Sequence, residues 1–238
     1  MGNVNTTQAE GIEQAMVSRV SKNELVRWMA ESALPYRELM AYCRCAARKA
    51  ADRLEGCGEE LMLQTGGSAV ESIRTGLKSP ESVVDAMVSG GFPLTAESVE
   101  RNLDDLTYVE AVCAFPGDVY ALADALLTGP EAFSLMRRED FIASPGENGY
   151  RGLHLVLSVP VTLRGQRREI RVKVLLLTPA MELWVNTERK FLGAKERLLP
   201  AQAEQIAEEL RACSALSAEW DQRMEQIRYN LLHHVITK

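Results

Sequence analysis

The sequence predicts an α+β fold in which a mixed β-sheet flanked by helices lies between helical N- and C-terminal extensions. Apolar residues recur at three- and four-residue steps over residues 22–55 and again over 201–232, as they do on one face of an α-helix. Between these regions, residues 153–163 and 169–177 flank a turn at 164–166 and form the clearest hairpin of the chain. No internal repeat is evident in the sequence, which argues against a solenoid.

Proline and glycine positions predict where the elements begin and end. Pro35 is expected to kink or divide the first helical region, and the glycine-rich stretch at 55–58 is expected to end it. Ser79 and Pro80 are typical of a helix start. The remaining elements are expected as a helix over 80–87, a β-like run over 106–115, a helix over 119–127, an extended segment over 133–141 and a helix over 179–184.

One domain with extensions is the expected organisation, because 238 residues exceed a modal domain of about 150 without requiring two. The segments are a flexible N-terminus over 1–21, an N-terminal helical region over 22–64, the sheet domain over 65–195 and C-terminal helices over 196–238.

Composition excludes several classes of protein. Hydrophobic residues make up 46% and charged residues 25%, which is typical of a globular chain. With 27 Lys and Arg against 33 Asp and Glu, the formal charge of -6 argues against a nucleic-acid-binding surface. Neither a secretory signal nor an apolar stretch long enough to span a membrane is present in the sequence, and the five cysteines lack a C-x-x-C spacing. We therefore expect a cytoplasmic protein with reduced thiols and no membrane association.

Residues 139–154 form the most specific motif in the chain. They read E-D-F-I-A-S-P-G-E-N-G-Y-R-G-L-H, which resembles the signature D-Y-I-x-x-P-K-x-N-G-Y-x-S-L-H of the RelA/SpoT-type alarmone synthetases. Further blocks resemble the family in the same order, at residues 77–82, 105–115, 178–184 and 219–228. The resemblance covers nearly the whole chain, and its last block is similar to the tail helix of the small, synthetase-only members.

The resemblance implies a nucleotidyltransferase-like fold, with residues 65–195 as the synthetase domain. In active relatives it implies transfer of pyrophosphate from ATP to the 3′-hydroxyl of GTP or GDP, with Mg²⁺ as cofactor. Small members commonly form homotetramers, so a homo-oligomer, and a tetramer by resemblance, is expected. A guanine nucleotide is the expected ligand.

The metal site is where this sequence departs most from the family. Asp105 matches the family's metal-binding aspartate, but the second carboxylate position is Lys173. Two unit charges 4 Å apart interact by about 4 kcal/mol at an effective dielectric near 20, so a lysine here replaces attraction of a cation by repulsion. We expect Mg²⁺ binding to be lost or much weakened, with Mg²⁺ as cofactor only if the chain is active. We also expect a direct ion pair between Lys173 and Asp105.

The phosphate-binding cations implied by the resemblance are also depleted. The family's Arg-x-Lys reads Gly76-Leu77-Lys78, which leaves Lys78 as the retained cation, and the arginine after the metal aspartate is Glu110. A glutamine and an arginine of the second metal strand are Leu175 and Leu177. These changes all fall on the phosphate-and-metal step.

The residues expected at the acceptor nucleotide are better retained. Tyr150 matches the tyrosine that stacks on guanine in the family, and Asn148 and His154 keep their places beside it. An alternative interpretation is that Asn148 and Gly149 form an ordinary turn and that His154 is a hydrogen-bonded histidine leading into a strand.

Three functional hypotheses follow. The leading one is a degenerate small alarmone synthetase homologue, impaired or inactive in synthesis, which binds a guanine nucleotide or acts as a regulator. The second is an active GTP pyrophosphokinase whose missing carboxylate is supplied by Asp104, Glu110 or Glu169. The third is a structural or interaction protein whose old site is filled by Leu175 and Leu177.

Overall fold

The structure is a computed structural model that describes residues 26–27, 34–129, 131–195 and 200–235. The predicted flexible N-terminus over 1–21 lies outside the described residues. The elements are α1 (Leu34–Thr65), β1 (Val70–Leu77), α2 (Pro80–Ser89), α3 (Ala96–Asn102), β2 (Thr107–Cys113), α4 (Pro116–Leu127), β3 (Ser134–Asp140), β4 (Leu153–Leu163), β5 (Gln166–Leu177), α5 (Pro179–Lys195) and α6 (Pro200–Val235). The predicted α+β class is confirmed.

A five-stranded mixed sheet forms the centre of the fold, in the order β1-β2-β5-β4-β3. Strands β2 and β5 are parallel, and all other neighbours are antiparallel. The β4–β5 hairpin turns through Arg164 and Gly165, both with positive φ (50° and 77°), which matches the right-handed twist of paired strands. The predicted hairpin is therefore confirmed, with β5 beginning three residues earlier, at Gln166.

Helix α1 covers one face of the sheet and builds the core there. Its alanines, including Ala46 and Ala50, are fully buried, and their small side chains let the helix lie close to the strands. Alternate strand residues such as Val109, Leu155 and Val174 are fully buried against it. The other residues of each strand point to the opposite face, which we call the site face.

The prediction that residues 55–58 end the first helix is wrong, because α1 continues to Thr65. A glycine inside a helix costs about 1 kcal/mol relative to alanine, and tertiary packing offsets that cost here. Cys57 is fully buried, and a Cβ on Gly58 would lie 2.9 Å from Cγ2 of Val70. Pro35 lies in the first turn of α1, where proline is tolerated, so it does not divide this helix.

Helix α6 is hydrogen-bonded to α5 and to α4. The indole of Trp184 on α5 donates to the carbonyl of Leu210 (2.7 Å). The carboxylate of Glu225 accepts from the backbone N–H of Gly117 at the start of α4 (2.8 Å). Within the described ranges, no helix is long and apolar enough to cross a membrane.

Candidate functional site

Lys173 lies in the middle of the site face. Strand register pairs it with Tyr108 on β2 and with Val156 on β4, and Val156 in turn pairs with Arg137 on β3. The Lys173 side chain is half-buried. Among the described residues no carboxylate lies within ion-pair distance of its ammonium group.

Asp105 forms its ion pair with Lys78, at 2.6 Å between Nζ and Oδ2. The predicted pair between Asp105 and Lys173 is therefore wrong. The reason is the register of two neighbouring strands: Lys78 follows β1, Asp105 precedes the antiparallel β2, and the Lys78 N–H donates to the carbonyl of Leu106 (2.9 Å). Lys173 is level with Tyr108, three residues further along the chain than Asp105.

The neighbouring carboxylate, Asp104, is also occupied by protein cations. Its two oxygens accept from Arg137 (2.7 Å) and from Arg171 (2.6 Å). In the part of the chain that the structure describes, no group of three or more His, Cys, Asp or Glu side chains could hold a metal ion. Mg²⁺ requires oxygen ligands in near-octahedral geometry. Because Lys173 stands at the second carboxylate position and Asp105 is paired with Lys78, the residues present do not fit the Mg²⁺ site that the resemblance implies.

A second cluster of charges joins β1, β2 and α5. Arg74 donates to Glu110 across the strand pair (2.5 Å) and also contacts Glu182 of α5. The hydrogen bonds to Glu182 and Glu110 raise the pKa of Arg74, so it stays charged. The sequence motifs assign no role to Arg74 or Glu182. The available signal was that Arg74 lies two residues before Gly76, on the same face of one strand.

Gly76 leaves room for the ring of Tyr108. A Cβ on Gly76 would lie 2.2 Å from the Cζ atom of Tyr108, much closer than any real contact. The tyrosine therefore occupies the space into which a side chain at position 76 would extend. The resemblance implies an arginine at position 76, and the Tyr108 ring occupies the space that its side chain would enter.

The loop between β3 and β4 is held in one conformation by its own hydrogen bonds and by α6. Asn148 Oδ1 accepts from the Tyr150 N–H (3.0 Å), and its amide donates to Glu188 (2.8 Å). Gly149 has φ +91°, a region that favours glycine, and its carbonyl accepts from the Ser214 hydroxyl (2.5 Å). A Cβ there would lie 3.1 Å from both Arg211 Cα and Ser214 Cβ. Only glycine meets both requirements without strain.

A buried ion pair connects this loop to α6. Arg151 contacts Asp221 at 3.1 Å, and the side chains are only 7% and 5% exposed. The Thr178 hydroxyl donates to the same Asp221 oxygen (3.1 Å). Burial is the main reason why the pKa of Asp221 is raised. The motif comparison included Asp221 in the tail helix but assigned it no role.

Tyr150 and His154 are in direct contact, with 2.5 Å between the hydroxyl oxygen and Nε2. The Tyr150 ring packs edge-on against Phe141 (5.5 Å between centroids) and Trp184 (6.4 Å). Burial raises the pKa of the Tyr150 hydroxyl, which is therefore protonated at neutral pH. The structure thus brings Asn148, Tyr150 and His154 into one hydrogen-bonded group.

His154 is 9% exposed and lies beside the cations of the site face. Burial, followed by the charges of Lys173 and Arg137, lowers the pKa of His154 to about 4, so the ring is neutral at pH 7. Its Nδ1 atom is buried and has no hydrogen-bond partner among the described residues. The nearest carboxylate oxygen, on Glu139, is 3.9 Å away.

Leu175 and Leu177 form an apolar strip between the charge cluster around Arg74 and the Tyr150–His154 pair. Leu177 is 1% exposed, and its Cδ2 atom would lie 2.6 Å from a Cβ placed on Gly152. Leu175 is half-buried and pairs with both Glu110 and His154 in the sheet. The strip separates the Arg74–Glu110 pair from the histidine.

The chain is similar to known proteins in both sequence and structure. No family model matches the chain. The chain is 26% identical over 170 residues to the GTP pyrophosphokinase YwaC of Bacillus subtilis (strain 168), covering 71% of this chain and 79% of that relative. It is 24% identical over 161 residues to the GTP pyrophosphokinase YjbM of the same organism, covering 68% and 73% of the two chains.

Solved structures match over most of the fold. The crystal structure of small alarmone synthetase 1 from Bacillus subtilis bound to its product pppGpp has a TM-score of 0.73 at 21% identity, covering 83% of this chain and 98% of that one. A GTP pyrophosphokinase family protein from Streptococcus pneumoniae has a TM-score of 0.73 at 21% identity, covering 85% and 97%. The predicted nucleotidyltransferase-like fold is confirmed by these likenesses.

Proposed function

Because the chain belongs to the RelA/SpoT-type small alarmone synthetase family, we propose that it is a degenerate member. In this proposal it is impaired or inactive in alarmone synthesis and binds a guanine nucleotide at the loop that carries Asn148, Tyr150 and His154. The observation that carries the loss of activity is the state of the two metal-ligand positions. Lys173 stands at one of them, and Asp105 at the other is paired with Lys78 at 2.6 Å.

Electrostatics supports this loss. Pyrophosphate transfer depends on cations that bridge and neutralise the phosphates and on a group that orients the attacking hydroxyl. A lysine at a metal-ligand position repels the cation that a carboxylate there would bind, by about 4 kcal/mol for two unit charges 4 Å apart at an effective dielectric near 20. Removing even one electrostatic stabiliser of a transition state typically costs about 10²–10³ in rate. More than one has changed here, so the standard reaction should be severely slowed.

The donor side also offers little to a triphosphate. Arg74 is neutralised by Glu110 and Glu182, and Lys78 by Asp105. The ring of Tyr108 fills the space above Gly76. An ATP polyphosphate binding here would have to break protein ion pairs and meet the negative charge of Glu110.

The guanine side supports binding. The Asn148–Gly149–Tyr150 loop has a fixed conformation, which lowers the ordering cost of binding. Tyr150 is partly exposed, and a tyrosine ring can stack on a purine. A structural neighbour of this chain is a small alarmone synthetase bound to pppGpp. The loop and the tyrosine ring favour a purine ligand, and the pppGpp-bound neighbour favours a guanine nucleotide in particular.

We also propose that the chain forms a homo-oligomer, a tetramer by family resemblance. Helix α6 carries large apolar side chains that are at least half exposed, at Leu216, Trp220, Ile227 and Leu231. Such a stripe on a long helix is typical of a helix that packs against a partner. Binding of nucleotide at a loop held by α6 would give this assembly a regulatory role.

The activity test is incubation of the pure chain with labelled ATP, with GTP or GDP and with Mg²⁺, followed by chromatography. YwaC serves as the positive control. We expect no 3′-pyrophosphorylated guanosine, or a rate at least about 10²-fold below that of YwaC. A rate equal to that of YwaC would establish the active pyrophosphokinase alternative and require another carboxylate in the metal role.

A matched substitution in YwaC tests the reason for the loss. The YwaC residue that aligns with Lys173 is changed to lysine, and product formation by this variant is measured under the same conditions. We expect the loss to be about 10²-fold or more. If that variant keeps its activity, Lys173 does not explain the degeneracy.

A further inference from the structure

Lys173 differs from the other cations of the site face in having no counter-ion. Arg74, Lys78, Arg137 and Arg171 each have a carboxylate partner within 4 Å. Lys173 has none in the described ranges, although it is half-buried and lies at the centre of the face. A partly desolvated cation without a counter-ion is stabilised by any anion that binds beside it.

The neighbourhood of Lys173 adds an unused polar atom. His154 lies on the adjacent strand two pairs further along, and therefore on the same face. Its Nδ1 atom is buried without a hydrogen-bond partner in the part of the chain described. Its other nitrogen contacts the hydroxyl of Tyr150, the proposed guanine-stacking residue. When Tyr150 donates to Nε2, Nδ1 carries the proton and becomes a donor.

We propose that Lys173 binds a phosphate group of the guanine nucleotide directly, so that this chain binds its nucleotide without a divalent cation. The inference rests on the guanine-nucleotide site proposed above. The ammonium group of Lys173 would then take the place of both the metal ion and the carboxylate that binds it.

Charge explains why a divalent cation should not help. An ammonium group and a phosphate form a charge-assisted hydrogen bond that needs no bridging metal. A Mg²⁺ ion on the same phosphate would bring two further positive charges close to Lys173, and Asp105 is not free to balance them. This site should therefore prefer the metal-free nucleotide, whereas a site with two carboxylates would prefer the Mg²⁺-bound nucleotide.

The test is calorimetric titration of the full chain with GDP and with GTP, in EDTA and in excess Mg²⁺. We expect binding in EDTA that is as tight as, or tighter than, binding in Mg²⁺. Lys173→Met keeps the aliphatic stem of the side chain and removes its charge. We expect this variant to bind at least about 10-fold more weakly in EDTA, which is about 1.4 kcal/mol. Lys173→Arg should keep most of the affinity.

Lys49→Ala is the matched control. Lys49 is on α1, which covers the opposite face of the sheet, and its ammonium group donates to the carbonyl of Pro160 (3.1 Å). This variant also loses one lysine charge, so it should bind nucleotide as the original chain does. Thermal unfolding of each variant confirms that it is folded before titration.

The outcomes separate the inference from the proposed function. Binding that requires Mg²⁺ and is unchanged in Lys173→Met overturns the inference, while the guanine-nucleotide site stands. Absence of GDP and GTP binding in both buffers overturns the guanine-nucleotide site itself, and with it the inference. Equal weakening by Lys49→Ala and Lys173→Met also overturns the inference, because the effect would then be one of net charge.

Discussion

The two halves of the site face hold their side chains in different ways. On the metal-and-phosphate half, the charged groups pair with each other, as Lys78 does with Asp105 and Arg74 with Glu110. On the guanine half, the loop is held from outside by α6, through the contact of Ser214 with Gly149 and through the Arg151–Asp221 pair. Under the proposed function, the first half no longer binds a metal or a triphosphate, and the second offers a preformed loop to the nucleotide.

The two halves therefore differ in whether their polar groups are occupied by one another or are left available. In the first half, the protein's own ion pairs neutralise charges that a synthetase would use on its substrates. The hydrogen bond from Ser214 of α6 goes to the loop backbone, so under the proposed function the loop side chains are available to a nucleotide. Lys173 and His154 lie where the two halves meet, and their properties depend on both.

The largest expected effect comes from breaking the link between α6 and the loop. Asp221→Ala leaves the buried Arg151 charge without its partner, and removing one member of a buried pair typically costs about 3–5 kcal/mol. We expect a loss of that size in the free energy of unfolding, measured by urea denaturation, together with loss of GDP binding.

A double variant provides the control for this effect. Arg151→Met combined with Asp221→Leu removes both charges, so no buried charge is left unpaired, and replacement by apolar residues is often nearly neutral. It should be clearly more stable than Asp221→Ala. If Asp221→Ala costs less than about 1 kcal/mol, α6 does not hold the guanine loop in the way the structure indicates.

The second prediction concerns His154, whose pKa is lowered from 6.5 to about 4 by burial and by the charges of Lys173 and Arg137. The unfolded chain takes up a proton at residue 154 below pH 6.5, whereas the folded chain does so only below about pH 4. The free energy of unfolding should therefore fall as the pH falls through this window and level off below it, by about 3 kcal/mol at most for this group.

The measurement is urea denaturation of the original chain and of His154→Gln between pH 7 and pH 4. Glutamine does not titrate, so the difference between the two curves isolates the histidine from the carboxylates. Lys173→Met should raise the pKa of His154, because it removes a nearby positive charge. A ring that titrates near pH 6.5 in an NMR experiment would contradict the burial of His154 beside the cations.

A smaller effect is expected at the complementary pair on the donor half. Gly76→Ala places a methyl group where the Tyr108 ring lies, and overpacking typically costs about 1–3 kcal/mol. We expect a value near the lower end, because the clash is with the far end of a side chain that can swing away. Adding Tyr108→Ala to Gly76→Ala should remove the interaction, which a double-mutant cycle of unfolding free energies measures. Additive single effects would contradict the steric fit.

The sequence predicted the fold class, the hairpin and the order of the site residues, but not the pairings that depend on packing. The glycines at 56 and 58 predicted a helix end, and burial of Cys57 and contact with β1 outweighed that local signal. Strand β1, which reads V-E-S-I-R-T-G-L, was not predicted. It is an edge strand with one neighbour, and its mostly polar sequence lacks the apolar alternation of a core strand.

The site shows the same division between motif and register. Asn148, Tyr150 and His154 share one short motif, and their contact follows from sequence proximity. The partner of Asp105 depends instead on how β1 pairs with β2, which a linear comparison of motifs does not contain. The sequence therefore placed Asp105 and Lys173 at the metal-ligand positions that the resemblance implies, whereas the contacts of these residues required the structure.

The smallest effect on stability is expected at Lys78 and Asp105, whose side chains are 22% and 41% exposed. An ion pair with this exposure contributes about 0–1 kcal/mol, so Lys78→Met should change the free energy of unfolding by no more than that.

Lys78→Met also tests whether Lys173 excludes Mg²⁺, because it removes the ion-pair partner of Asp105 while Lys173 is still present. Excess Mg²⁺ should not raise the melting temperature of Lys78→Met or of Lys173→Glu alone. The variant that combines Lys78→Met with Lys173→Glu has a carboxylate at position 105 and another at position 173, and neither lysine is present. If this variant binds Mg²⁺, the ion should raise its melting temperature by mass action, and we expect that rise. A rise in Lys78→Met alone would show that Lys173 does not exclude the metal.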